Sequence, residues 1–246
     1  MSSYEYLSSV YDELSENVDY DVRSDYISDI FCDNSISSGT VLDLACGTAS
    51  MSERLMKKGY SIIGIDLSEQ MLEIASQRLS QIGDSFTLLK ANMQDFELET
   101  KVDACICCLD SINHLNSINA VQRTFDCVNN SLKQGGLFVF DVNTIYKHQC
   151  VLSGNTFVFD EEDYYLVWDN EQVDENTVRI LIDLFRFNGQ SYDRFSEEFC
   201  EKAYSIDELK TALENSGFSD IKVYDELTYN APQETSERLF FICKKA

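Results

Sequence analysis

The sequence predicts an α/β fold, a doubly wound, seven-stranded and mostly parallel sheet with an inserted antiparallel β-sheet. Short apolar runs alternate with amphipathic stretches through the first half of the chain, as in a parallel sheet covered by helices on both faces. Extended runs rich in aromatic and β-branched residues follow from about residue 150 and indicate antiparallel strands. With 246 residues, 44% of them hydrophobic, the chain can bury the core of such a domain.

The elements of the first half follow from apolar spacing and from capping residues. Residues 40–46 form an apolar, strand-like run, and residues 50–60 carry apolar side chains at helical spacing before Gly59. Ser68 is a good N-cap for the next helix. In order, the predicted elements are strand 40–46, helix 50–60, strand 61–68, helix 68–83, strands 85–92 and 102–109, helix 120–132 and strand 135–143.

The second half changes character and then returns to helix. Three or four antiparallel strands are expected up to about residue 204, separated by turn-forming residues. Residues 205–218 predict a helix in which Ser205 and Glu208 form a capping box and Gly217 marks the end. Two last strands, within 220–229 and 237–245, complete the predicted sheet.

Composition and charge exclude several function classes. Asp and Glu number 43 against 19 Lys and Arg, a formal net charge of −24, and no basic stripe offsets it. Phosphate backbones and anionic membrane surfaces repel such a chain, so we expect neither nucleic acid nor membrane as a partner. The N-terminal residues lack the features of a signal peptide, and nine cysteines in mostly apolar segments predict reduced thiols in a cytoplasmic protein.

A C-x-x-C pattern lies within the predicted strand 102–109. Cys105 and Cys108 fit its spacing, and Cys107 lies between them. Side chains alternate between the two faces of a strand, which places Cys105 opposite Cys108. No second pair of ligands lies nearby, so we interpret these cysteines as small buried residues and predict no metal site.

The stretch VLDLACGTAS, residues 41–50, is the first candidate binding element. It runs from the first strand into a helix, the place where open α/β sheets bind ligands. Gly47 can adopt a positive φ, and Asp66 ends the next strand, where a carboxylate can accept both hydroxyls of a ribose. The G-x-G-x-x-G pattern of dinucleotide sites is missing, which disfavours NAD and leaves cofactors without a pyrophosphate, such as S-adenosylmethionine.

Four segments in order resemble the successive motifs of class I S-adenosylmethionine-dependent methyltransferases, which have a Rossmann-like fold. They are VLDLACGTAS, IIGIDLSEQML, LLKANMQDFEL and CCLDSINHL. The likeness covers nearly the whole chain. It is nearest to small bacterial and archaeal methyltransferases of mostly unassigned substrate, which are related to the sugar N-methyltransferases.

The resemblance implies a set of cofactor-binding residues. Asp43 would order the loop, Asp66 would hold the ribose hydroxyls, and the carbonyl of Leu109 would receive the methionine amine. Tyr11, in the N-terminal segment, would touch the methionine carboxylate. The full implied set is Tyr11, Asp43, Ala45, Cys46, Gly47, Asp66, Leu67, Met71, Asn92, Met93 and Leu109.

Three residues depart from the commonest family pattern. Ala45 and Ala49 stand where the loop usually has its first and third glycines, and Asn92 stands where an aspartate is usual. The methyl group of Ala49 would lie at the start of a helix and could reduce cofactor affinity. The amide oxygen of Asn92 can still accept an adenine N–H, without the charge.

The resemblance also implies an acceptor pocket beside the cofactor. His114 is one of only two histidines and could act as a base or simply line the pocket, whereas His148 is expected at the surface. Most aromatic residues of the insertion are expected to form the sheet core. A few of them, with Arg194 or Glu198, could instead face the acceptor. The implied pocket residues are Asp110, Ser111, Asn113, His114, Trp168 and Arg194.

The expected organisation has three parts: an N-terminal cap and cofactor-binding core over 1–149, an antiparallel insertion that roofs the acceptor site over 150–204, and a last helix and two strands over 205–246. The expected activity is an EC 2.1.1.- methyl transfer from S-adenosylmethionine, leaving S-adenosylhomocysteine. The acceptor would be a nitrogen or oxygen of a small molecule, and proximity and orientation would supply most of the catalysis. The alternative is a non-catalytic cofactor-binding or regulatory protein on the same fold. We expect a monomer or homodimer.

Overall fold

A computed structural model describes residues 18–246 of the chain. Two sheets form its framework, a seven-stranded sheet in the order β10-β11-β5-β4-β1-β2-β3 and a four-stranded sheet in the order β6-β7-β8-β9. The strands are β1 Thr40–Leu44, β2 Ser61–Asp66, β3 Phe86–Lys90, β4 Val102–Cys107, β5 Leu132–Asn143, β6 Thr156–Asp160, β7 Tyr164–Gln172, β8 Thr177–Phe187, β9 Tyr192–Lys202, β10 Phe218–Asp225 and β11 Arg238–Lys245. The helices are α1 Tyr20–Asp33, α2 Ser50–Lys57, α3 Glu69–Ser80, α4 Ile118–Ser131 and α5 Ile206–Asn215.

The large sheet confirms the predicted fold class. Strands β1 to β5 pair in parallel, and β11 runs antiparallel between β5 and β10. The chain order reverses between β1 and β4, which creates a crevice at the carboxyl ends of these two strands. The candidate site is expected at that crevice.

Helices cover both faces of the large sheet and divide its core into two layers. Leu42, Cys105 and Cys107 pack in one layer, whereas Val41 and Cys108 pack in the other. The predicted separation of Cys105 from Cys108 is therefore confirmed. It follows from the alternation of side chains along β4, and all nine cysteines are free thiols.

Capping residues set the predicted helix boundaries. The Ser68 hydroxyl accepts the N–H of Met71 at the start of α3, and Ser205 and Glu208 form a complete capping box at the start of α5. One boundary differs from expectation, because β5 begins at Leu132, three residues before the predicted start and directly after α4.

The insertion folds as the antiparallel four-stranded sheet that the aromatic runs predict. Its inward-facing side chains form a third apolar cluster, centred on Leu166, Val178, Ile180 and Leu184. No helix in the described part of the chain is both long and apolar enough to cross a membrane.

Candidate functional site

A cavity of about 400 Å³ opens at the crevice between β1 and β4. A second cavity of about 40 Å³ adjoins it along the loop that follows β1. Four residues line both cavities, Ala45, Gly47, Leu109 and Ser111. The two spaces therefore adjoin each other at the ends of β1 and β4.

The loop after β1 turns through three residues with left-handed backbone conformation. Ala45, Gly47 and Ala49 have φ values of 58°, 53° and 64°. The two alanines thus occupy positions whose backbone conformation favours glycine. Ala49 is fully buried in the apolar layer behind the loop and lines neither cavity. Its methyl group packs in the core, so the alanine at this position does not place a methyl group against a bound cofactor.

The carboxylate of Asp66 connects the loop to the end of β2. Its two oxygens accept the backbone N–H groups of Gly47 at 2.9 Å and of Ser68 at 2.8 Å. Burial is the main cause that raises the pKa of Asp66, and the backbone N–H groups oppose it. The carboxylate borders the large cavity, and each oxygen retains a lone pair for a ligand hydroxyl.

Asp43 is a second, deeper carboxylate beneath the same loop. It is buried and accepts the hydroxyl of Ser52 at 2.6 Å, which ties the end of β1 to α2. Burial raises the pKa of Asp43 to about 7, and the charge of Asp66 adds to that shift. Asp43 borders the small cavity, together with Cys46 and Tyr20 of helix α1.

Apolar side chains and an amide form the outer wall of the large cavity. Leu67 is 55% exposed, while Met71 beside it is buried. Asn92 and Met93 line the cavity from the turn after β3, and the Asn92 side-chain oxygen accepts the N–H of Gln94 at 2.9 Å. Together with the carboxylate of Asp66, this wall offers polar and apolar surface that suits an adenosine.

The turn after β4 contains two consecutive non-glycine residues with positive φ, Leu109 at 57° and Asp110 at 51°. The buried carboxylate of Asp141 on β5 accepts both backbone N–H groups, at 2.9 Å and 3.2 Å. Arg238 bonds to Asp141 and lies 2.6 Å from Asp110. Strained backbone that is held by a buried charge network is typical of functional sites.

His114 borders the large cavity at the end of a 3-10 turn, Ser111–His114. Its Nε2 lies 3.8 Å from Oε1 of Glu201 on β9. Burial lowers the pKa of His114, and the charges of Asp110 and Asp66 act in the opposite direction. Glu198, Phe199 and Cys200 of β9 also border the cavity.

Several predicted site residues lie elsewhere in the structure. The Nε1–H of Trp168 donates to Asn170, and Arg194 is an exposed partner of Asp183, so neither lines the cavity. Asn113 is buried and bonds to the backbone of Asn143 and Lys202, which makes it a link between the two sheets.

His148 was expected at the surface, and that expectation is wrong. It is 1% exposed, because it belongs to a short π-helical turn, Lys147–Leu152, that packs against β8 and β9. Tyr11 lies outside the described residues.

Sequence reasoning missed three charged residues of the site, Asp141, Arg238 and Glu201. Each lies in an apolar or amphipathic strand, outside the four segments that carry the main motifs. A signal was present for Asp141, the single acid within the otherwise apolar segment LFVFDV.

Comparison with known proteins identifies methyltransferases as relatives of this chain. The family described as "Methyltransferase domain" matches residues 41–136. The Bacillus subtilis (strain 168) protein "Putative methyltransferase YqeM" is 36% identical over 245 residues, 99% of this chain and 97% of that protein. A crystal structure of an S-adenosylmethionine-dependent methyltransferase from Clostridium acetobutylicum ATCC 824 has a TM-score of 0.89, 31% identity and 98% coverage of both chains. A Streptomyces venezuelae dTDP-3-amino-3,4,6-trideoxy-alpha-D-glucopyranose N,N-dimethyltransferase is 29% identical over 136 residues, 54% of this chain and 56% of that enzyme.

Proposed function

Because this chain belongs to the class I S-adenosylmethionine-dependent methyltransferases, we propose that it methylates a nitrogen or oxygen of a small molecule, with an amine nitrogen as the preferred acceptor. The cofactor is S-adenosylmethionine, whose sulfonium supplies an already activated methyl group. The observation that carries the proposal is the position of His114, which borders the cavity and lies beside the buried Glu201. The nearby Glu198 adds negative charge that attracts a protonated amine.

The residues of the β1 and β2 ends fit the cofactor. In this proposal Asp66 holds the ribose hydroxyls, Leu67 and Met71 contact the adenine, and Asn92 and Met93 meet its edge. Ala45, Cys46, Gly47 and the Leu109 carbonyl surround the methionine part, within the narrow cavity where Asp43 supports the loop. The two adjoining cavities bring these residues to one edge of the large sheet, which supports this arrangement.

The acceptor is proposed to bind between Ser111, Asp110, His114 and the cavity-facing end of β9. Ser111 and His114 border the large cavity, and the His114 ring contacts Phe199 with ring centroids 5.2 Å apart. Alignment of the acceptor with the methyl carbon and exclusion of water would supply most of the rate. His114 would take the proton that an amine or hydroxyl must lose.

The three-part organisation is proposed on the same basis. Residues 150–204 supply a separate sheet whose last strand borders the cavity, as a roof over the acceptor would. Residues 205–246 complete the large sheet through β10 and β11. The core and cap would then occupy 1–149.

The test is a methylation assay on the purified chain with S-adenosylmethionine and a matched panel of small amines, amino sugars and alcohols. We expect S-adenosylhomocysteine to form together with a singly or doubly methylated amine, detected by mass spectrometry. Methylation of alcohols alone would contradict the amine preference. Cofactor binding by calorimetry without turnover on any acceptor would support the non-catalytic alternative.

A further inference from the structure

A buried carboxyl lies directly behind His114 and is shared with a second histidine. Glu201 has a side chain that is 6% exposed, with Oε1 3.8 Å from Nε2 of His114 and Oε2 3.7 Å from Nε2 of His148. Both distances are within ion-pair range, and contacts of this kind often tighten when substrate binds. Asn143 donates to Oε2 of Glu201 at 3.4 Å.

The hydrogen bonds of His148 identify its tautomer. Its Nδ1 lies 3.2 Å from the carbonyl oxygen of Asn176, an acceptor, so Nδ1 carries the proton. Nε2 then presents a lone pair toward Oε2 of Glu201, and this buried nitrogen has no hydrogen-bond partner in the described structure. Burial lowers the pKa of His148 to about 4, which keeps the ring neutral. A buried lone pair facing a carboxyl oxygen favours a proton on that carboxyl.

Three charged residues from other elements act on Glu201. Asp110 lies after β4, Lys147 precedes His148, and Arg238 comes from β11. Burial and the charge of Asp110 raise the pKa of Glu201, whereas Asn143, Arg238 and Lys147 act to lower it. The carboxyl therefore holds a proton to a higher pH than an ordinary glutamate does.

We propose that Glu201 is a positioning residue of the methyl transfer, the buried carboxyl that orients His114 and takes up the proton that His114 removes from the acceptor. This inference rests on the proposed function. The acceptor nitrogen forms its bond to the methyl carbon as the carbon–sulfur bond breaks and its electron pair stays on sulfur. The nitrogen's proton passes to the imidazole of His114, and the Nε2 proton passes to the ionised carboxylate of Glu201.

The same side chains also have a spacing that suits a metal ion. Asp110, His114 and Glu201 each offer one ligand atom, and these atoms lie within 4.8 Å of one another. Arg238, however, lies 2.6 Å from Asp110, and Lys147 adds a second positive charge to the cluster. A divalent cation would be repelled by both groups, so a proton is the occupant that the charges favour.

The test uses NMR of the two imidazoles, because the chain contains only two histidines. The full chain is labelled with [15N]histidine, its purification tag is removed, and it is titrated with S-adenosylhomocysteine present from about pH 6 to pH 9.5. His148→Leu assigns the signals. We expect both imidazoles to report one alkaline step in chemical shift, caused by ionisation of Glu201.

Glu201→Gln should abolish that step, whereas Glu198→Gln, an exposed acid of the same strand, should leave it in place. Asp110→Asn should move the step to lower pH, since it removes a charge that disfavours ionisation, and it gives an independent result if Glu201→Gln does not fold. The proposal is overturned if the native chain has no alkaline step, or if the step persists in Glu201→Gln. Shifting of both histidine signals by stoichiometric Zn²⁺, reversed by EDTA, would overturn it in favour of a metal site.

Kinetics with an acceptor from the methylation assay form a second arm. The native kcat should rise as the pH passes the pKa of Glu201, and Glu201→Gln should lower kcat by about 10- to 100-fold with little change in KM, and should remove this rise. A rise that persists in Glu201→Gln would belong to the acceptor amine and would overturn the proposal. The NMR titration needs no acceptor, so it still tests the proposal if the methylation assay identifies no acceptor.

Discussion

The turns after β1 and β4 meet at the same cavity, yet different forces hold them. Each contains non-glycine residues with positive φ, Ala45 and Ala49 in the first and Leu109 and Asp110 in the second. The first turn is small and partly apolar, and one carboxylate, Asp66, fastens it at the cavity edge. The second turn donates two backbone hydrogen bonds to the buried carboxylate of Asp141, which belongs to a buried network of charges. We infer that the first turn is built for contact with a ligand and the second for rigidity.

The largest effect is expected from removal of the charge beneath the second turn. Asp141→Ala would leave the backbone N–H groups of Leu109 and Asp110 without their acceptor, and would leave Arg23 and Arg238 as buried cations that lack this partner. Breaking a buried ion pair in this way should lower the free energy of unfolding by about 3–5 kcal/mol.

Urea denaturation checks this prediction. Asp183→Ala is the matched control, since Asp183 pairs with the exposed Arg194 and its loss should cost no more than about 1 kcal/mol. If the two variants lose similar free energy of unfolding, the charge network beneath the second turn stabilises the protein no more than an ordinary surface ion pair does, and the prediction is wrong.

These two turns also differ in how far the sequence could predict them. The first turn has a local signal, because small residues, one glycine and an acid at the end of the next strand all lie within 41–66. The second turn depends on Asp141 and Arg238, which reach it from strands 31 and more than 100 residues away. Apolar periodicity predicts the strands themselves, whereas pairing between their charged residues depends on the strand order of the sheet.

The insertion marks a second limit of sequence reasoning. Its strands follow from alternation, but alternation alone does not say which face meets the cavity. Sequence reasoning therefore placed Trp168 and Arg194 in an acceptor pocket, whereas the residues of the insertion that border the large cavity are Glu198, Phe199 and Cys200. His148 was misjudged because its place at the start of the insertion suggested exposure, whereas the packing of the turn Lys147–Leu152 against the insertion buries it.

An intermediate effect is expected at the first turn, on ligand binding. Asp66→Ala should weaken S-adenosylmethionine binding by about 1.5–3 kcal/mol, through the loss of a charge-assisted pair of hydrogen bonds. Isothermal calorimetry measures the change, and Asp95→Ala, a nearby acid in the turn after β3 that does not line the cavity, is the control. Unchanged affinity would exclude Asp66 from the binding site.

The smallest effect is expected from the two alanines of the first turn. Ala49→Gly would relieve a left-handed conformation that costs alanine about 1 kcal/mol. It would also lose a fully buried methyl group, worth about 0.8 kcal/mol, and would gain chain entropy in the unfolded state. These opposing contributions should leave the free energy of unfolding within about 0.5 kcal/mol of the native value. Cofactor affinity should stay within about twofold, because Ala49 lines neither cavity.

Ala45→Gly separates the two positions. Ala45 has the same left-handed backbone but is only half-buried and borders both cavities, so its methyl group contributes less to the core. The variant should be more stable than Ala49→Gly by several tenths of a kcal/mol, measured by denaturation with cofactor absent. A large gain in cofactor affinity for Ala49→Gly would contradict this reasoning, since it would mean that the buried methyl group, and not the first turn's cavity-facing surface, limits binding.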